Sequence, residues 1–196
     1  MKENFAILNF SGENFEATVL KADFAEKKIG LMENFKFSGF NSFPAIKRFF
    51  SFVFYPRPYK VILIFSPRDA AGRYGAVSLD REDADKKITE EELADLVSRA
   101  VWEFFEESRT RALKQLGVGE AELILSDISV YDFKLDGRRV INPFKESARR
   151  IELNLGQTFV KRMFLKKILR LLPKRAEKVF ALEGGVSASH LLRRIS

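Results

Sequence analysis

The stretch from Thr89 to Gly117, TEEELADLVSRAVWEFFEESRTRALKQLG, constrains the fold more than any other part of the chain. Leu93, Leu96, Val97, Ala100, Val101, Phe104, Phe105 and Leu113 recur at helical spacing and form one apolar stripe, which predicts the longest helix in the molecule. Thr89 followed by Glu92 predicts a capping box at its start, with the hydroxyl and the carboxylate each satisfying a free backbone N–H. Gly117 is placed to end the helix with a positive φ. Trp102 lies beside the stripe and reads as the edge of the core. Runs of alternating apolar residues stand on both sides of this helix. It therefore separates two groups of strands, and the chain is mixed α/β.

Three runs open the chain, around Phe5 to Phe10, Phe15 to Val19 and Ile29 to Phe37, and predict an antiparallel meander. Ser42 and Pro44 then open a short helix carrying Ile46, Phe49, Phe50 and Val53 on one face. KVILIFS at 60–66 is a continuous apolar run of strand length, suited to burial on both faces, and RYGAVSLD at 73–80 predicts a further strand. DREDADKK at 80–87 reads as a charged, exposed boundary. After the long helix, ELILSDISVYDFKL, VINPF and RRIELNL predict three strands, with Asp136-Gly137 as a hairpin turn. TFVKRMFLKKILRLLPKR predicts a basic amphipathic helix, and EKVFALE a last short strand before a Gly-Gly turn and a terminal helix.

Composition narrows the chemistry. The chain has no Cys, which excludes disulfides, thiolate metal sites and thiol nucleophiles, and its one His, His190, leaves no histidine cluster. No apolar run approaches the roughly 20 residues of a membrane span, so a cytoplasmic protein is expected, with the inner face of a membrane as an alternative location. Between Ile88 and Asp127 stand ten acids and four bases; from Lys134 to Arg175 stand thirteen bases and three acids. This asymmetry could steer an anionic partner, although a solvated face accounts for it more simply. The acids of DREDAD and TEEE read as solvated charges and helix-start residues rather than as an acid/base pair or a metal site.

The order of three antiparallel strands, helix and strand, followed by KKITEEELADLV, YDFKLDGRRVINPFKESARRIELNL and VFALEGGVSASHLL, resembles the bacterial cell-division protein FtsA and its pilus-assembly relative PilM, both actin-like. The resemblance implies an α/β, ribonuclease-H-like half of an actin fold over 1–87 and 157–196, with an inserted strand-helix-strand-strand subdomain over 88–156. It also implies a cell-division scaffold or adaptor acting through protein contacts, with division or pilus-assembly components or further copies as partners. The implied contact residues are Asp136, Gly137, Arg138 and Arg139 of the hairpin, with Lys145, Arg149 and Arg150 at its exit.

Two departures bear on nucleotide. Where the family's first turn carries an Asp that organises magnesium, this chain has Asn9, followed by Ser11 and Gly12, so a phosphate contact there is expected to be vestigial and the turn a plain hairpin. No second Asp-Gly-Gly phosphate turn occurs, so ATP with magnesium is expected only if a second half completes the site, and ATPase activity is not expected of this chain alone. Glu183-Gly184-Gly185 resembles the family's adenosine loop but suits the end of the first half better. Lys161, Arg162, Lys166, Lys167 and Arg170 make the basic helix a candidate for anionic lipid, against core packing as the simpler role. A PilM-like pilus or secretion platform is the alternative within the family, and a basic nucleic-acid-binding module the alternative outside it.

Overall fold

The computed structural model describes residues 2–11, 14–37, 59–170, 172 and 176–183. The expected helix at 42–53, the Gly-Gly turn, the terminal helix and His190 lie outside these residues. Nine strands and two α-helices are described, and the strands form two sheets in a mixed α/β fold.

The first sheet contains β1 (Lys2–Ser11), β2 (Asn14–Asp23), β3 (Lys28–Phe37), β4 (Tyr59–Phe65) and β9 (Ala176–Glu183), in the order β3-β2-β1-β4-β9. β1, β2 and β3 are the expected antiparallel meander, while β4 runs parallel to both β1 and β9. That central position explains the unbroken apolar run of β4, because Val61, Ile62, Leu63 and Phe65 are all buried, on alternating faces. One face carries Ala6, Leu8, Phe10, Phe15, Ala17, Val19, Val61, Leu63 and Phe65; the other carries Phe5, Ala22 and Ile62.

The second sheet has the order β5-β8-β6-β7, from β5 (Ala70–Asp80), β6 (Leu123–Leu135), β7 (Arg138–Val140) and β8 (Arg150–Lys161). The long helix α1 (Glu90–Leu116) covers β5 and β8 on one face, burying Leu96, Ala100 and Phe104 against Val77, Leu79, Ile151, Leu153 and Leu155. α1 is capped as the sequence predicts: Thr89 Oγ1 accepts from the Glu92 N–H, and Gly117 takes φ 62° with its N–H donating to the Leu113 carbonyl. α1 approaches β5 so closely at Gly75 that a methyl group there would lie 2.7 Å from the Phe104 ring, so only glycine fits.

Three expectations are corrected. The second sheet begins at Ala70 rather than after 87, because β5 pairs along its whole length with β8, from Ala70 opposite Val160 to Asp80 opposite Arg150. Thr158 to Lys161, expected as the start of the basic helix, are the end of β8: Phe159 and Val160 sit between β5 and β6, fully buried, and a central strand suits these β-forming residues better than a helix turn. The basic helix, α2 (Arg162–Leu169), is correspondingly short. VINPF is not a strand beyond Val140, since Pro143 lacks an N–H and the Asn142 side chain accepts from the Phe144 N–H, turning the chain away from the sheet.

Candidate functional site

The hairpin that joins β6 to β8 is braced at its base. Asp136 takes a positive φ of 48°, and its carboxylate oxygens accept from the backbone N–H groups of Arg149 (3.1 Å) and Arg150 (2.8 Å). Gly137 supplies the second left-handed residue, φ 83°, which the Asp-Gly pair predicts. The loop after β7 is held from the other side, with the Ile88 N–H donating to the Glu146 carbonyl and the Lys145 N–H donating to the Ile88 carbonyl.

These anchors gather the predicted contact residues at one end of the second sheet but do not leave all of them available. Arg138 pairs with Glu146 at 3.1 Å, Arg139 with Asp132 at 3.1 Å, and Arg150 with Asp80 at 2.8 Å. The Arg150 guanidinium holds the Asp80 carboxyl below the usual carboxylate range, by hydrogen bonding first and charge second. Lys145 lies 4.9 Å from the centre of the Phe144 ring, and no ion pair is described for it or for Arg149. Earlier on the same loop, four residues before Lys145, Ile141 is completely exposed. Ile141, expected within a strand, lies on a loop, and its Asn142-Pro143 neighbours are the signal in the sequence that could have shown it.

A second group was hidden inside the charged run at 80–87. The Arg81 side chain is fully buried, and its Nε and Nη2 donate to the two Glu92 carboxylate oxygens at 2.7 and 3.1 Å. Its Nη1 donates to the Ala148 carbonyl at 2.6 Å and Nη2 also to the Lys86 carbonyl at 3.0 Å. The Arg81 hydrogen bonds hold the Glu92 carboxyl below its ordinary value, with the Thr89 backbone a smaller contributor. The Glu92 carboxylate is thus engaged mainly by Arg81, so the expected capping box is dominated by its Thr89 half. Arg81 ties the end of β5, the start of α1 and the hairpin exit together.

Asn9 and Ser11 share one face at the end of β1, both exposed. Asn9 stands opposite Glu16 of β2, and Ser11 opposite Asn14. A carboxylate therefore neighbours the amide, an unfavourable setting for a phosphate; Gly12 lies outside the described residues. In α2, Phe164, Leu165 and Ile168 pack into the core of the first sheet, with Phe164 edge-on to Phe10 and Phe65. Lys161 ends β8, Arg162 is half-buried, and the exposed residues are Met163, Lys166, Lys167, Leu169 and Arg170. Of the apolar residues of this helix, Leu165 and Ile168 are buried in the core, while Met163 and Leu169 are exposed. No described helix is long and apolar enough to cross a membrane, and no cluster of three or more metal-ligating side chains occurs among the described residues.

No family model matches the sequence, and no curated protein does. Among solved structures, the chain is similar to the cytoplasmic domain of EpsL, an inner-membrane component of the type II secretion system of Vibrio cholerae, at 11% identity and TM-score 0.42, over 92% of this chain and 57% of that one. It is similar to the PilM–PilN type IV pilus biogenesis complex at 7% identity and TM-score 0.43, over 90% and 46%. A Bacteroides thetaiotaomicron protein with an actin-like ATPase fold and unknown function follows at 10% identity and TM-score 0.37, over 92% and 52%. The chain spans about half the length of these structures.

Proposed function

We propose that this chain is an FtsA-type scaffold that works through protein contacts rather than by turnover, and that the hairpin end of the second sheet is its contact surface. One observation carries the reading: Ile141 is wholly exposed on a loop whose base is braced by Asp136 and which also carries Lys145 and Arg149. A braced loop loses little conformational entropy on binding, and an exposed apolar residue flanked by cations suits an acidic, apolar patch on another protein. The Asn9–Glu16 pairing supports a reading without nucleotide hydrolysis, since it places an acid where a phosphate would need a donor.

The test is a photo-crosslinking residue at position 141 in cells, with position 163 on the exposed face of α2 as the control. The expected result is a discrete adduct from position 141 with a division or pilus-assembly component, lost on Lys145→Glu with Arg149→Glu. Which component is captured separates the FtsA-type reading from the PilM-type one. Equal adducts from both positions, or none from 141, would overturn the proposal, as would magnesium-dependent ATP turnover by the chain.

A further inference from the structure

β5 is the outermost strand of the second sheet, paired with β8 on one side and with no described strand on the other. Alternate backbone N–H and C=O groups of such a strand point outward, and they invite another strand. A groove of about 240 Å³ lies along this edge, between Tyr74 to Val77 and the flank of α1 that carries Glu103, Glu107 and Arg111. The same flank continues with Arg99 and Asp95 beside Asp80. Read along α1, the row is Asp95, Arg99, Glu103, Glu107, Arg111, spaced by four residues, each one residue before a member of the buried row Leu96, Ala100, Phe104, Ser108 and Ala112, so the charged row flanks the buried one as both wind with the helix.

We propose that this edge pairs with a second copy of itself, β5 antiparallel to β5 about a two-fold axis normal to the sheet and midway between the two strands, with Gly75 opposite Gly75 of the second copy. Such an axis keeps each side chain on its own face, so only registers pairing residues of like parity are allowed, and centring on Gly75 is one of them. Tyr74 then packs over Ala76 of the second copy, and Gly75 leaves no side chain at the axis. The helices follow from the same operation. α1 lies over β5 and β8; with strands about 4.8 Å apart, the two copies of α1 come to about 10 Å, the distance at which helices pack.

The charges favour this register. Phe104 touches Gly75, so Glu103 lies level with the axis. In antiparallel helices centred there, Asp95 faces Arg111 of the second copy and Arg99 faces Glu107, each contact repeated by symmetry. The one like-charge contact is Glu103 with itself. Moving the axis between Glu103 and Glu107 would instead set Arg99 against Arg111 and Glu103 against Glu107, all repulsive. The surface is distinct from the hairpin end and stands whether or not the hairpin binds a partner.

The chain has no cysteine, so an introduced thiol is unambiguous. Glu103→Cys, under mild oxidation of the full chain, is expected to give a covalent dimer, while Glu106→Cys, on the outer crest of the same helix, stays monomeric. By sedimentation at up to about 100 μM, Glu103→Gln is expected to tighten the dimer severalfold and Arg99→Glu to weaken it about tenfold. A chain that stays monomeric throughout, a dimer indifferent to Arg99→Glu, or equal crosslinking at 103 and 106 would overturn the proposal. A monomer that still gives the position-141 adduct leaves the scaffold reading standing and removes this one.

Discussion

Arg81 shows what one buried cation can organise. Removing it would leave the partly exposed Glu92 carboxylate and the carbonyls of Ala148 and Lys86 without their donor. Breaking one side of a buried pair costs far more than the pair contributes, so Arg81→Met is expected to destabilise the chain by about 3 kcal/mol in urea titration. The pH dependence has a definite sign. The folded pKa of Glu92 lies below its ordinary value of 4.5, so its contribution is present above that value and is lost as pH falls through the lower folded value. The Tm gap between the natural chain and Glu92→Gln should therefore be constant near neutrality and close as the pH falls below 4.5 and through the lower folded value. A gap that widened in acid would contradict this assignment. Nothing in DREDADKK distinguishes Arg81 from its solvated neighbours, because its partners, Glu92 and the carbonyl of Ala148, meet it only after α1 and the hairpin exit have folded back.

Among elements, α1 was legible except at Trp102, which was expected at the edge of the core and is two-thirds exposed, because its other signals are local: the cap, the stripe and the terminal glycine are all read within one stretch of chain. Thr89→Ala, which removes the hydroxyl that accepts from the Glu92 N–H, is expected to cost about 1 kcal/mol by thermal denaturation. The end of β8 was not legible, because Phe159, Val160, Phe164 and Ile168 fit helical spacing and pairing alike. What decides it is the presence of β5 and β6 on either side, a property of the sheet that no local window contains. The packing of α1 on β5 depends in turn on Gly75. Adding a methyl group there drives into the Phe104 ring, itself held in the core, so Gly75→Ala is expected to cost about 2 kcal/mol, and Phe104→Leu to recover part of it in the double variant. Additive losses would mean that the two do not compete for the same space.

At the scale of the molecule, the two sheets are joined by a shared core rather than only by chain connections. Ala70 from the start of β5, Val160 from the end of β8, and Leu165 and Ile168 from α2 all pack on the Leu8, Phe10 and Leu63 face of the first sheet. β8 therefore belongs to both layers: its odd-numbered residues from Ile151 to Phe159 face α1, while Val160 reaches the other core. The sequence showed two groups of strands but not this join, because Val160 and Ile168 look alike in a helix or at an interface. A cavity at the join should weaken both sheets together. Ile168→Ala is expected to cost about 3 kcal/mol. Trp102, on α1 over the second sheet, provides a local probe, and far-UV circular dichroism reports the whole chain. In the natural chain and in Ile168→Ala the two signals are expected to fall in one transition, with the variant's midpoint lowered equally in both. A variant in which Trp102 fluorescence held while half of the strand signal was lost would show that the second sheet stands without the first, and that the join is a contact rather than a common core.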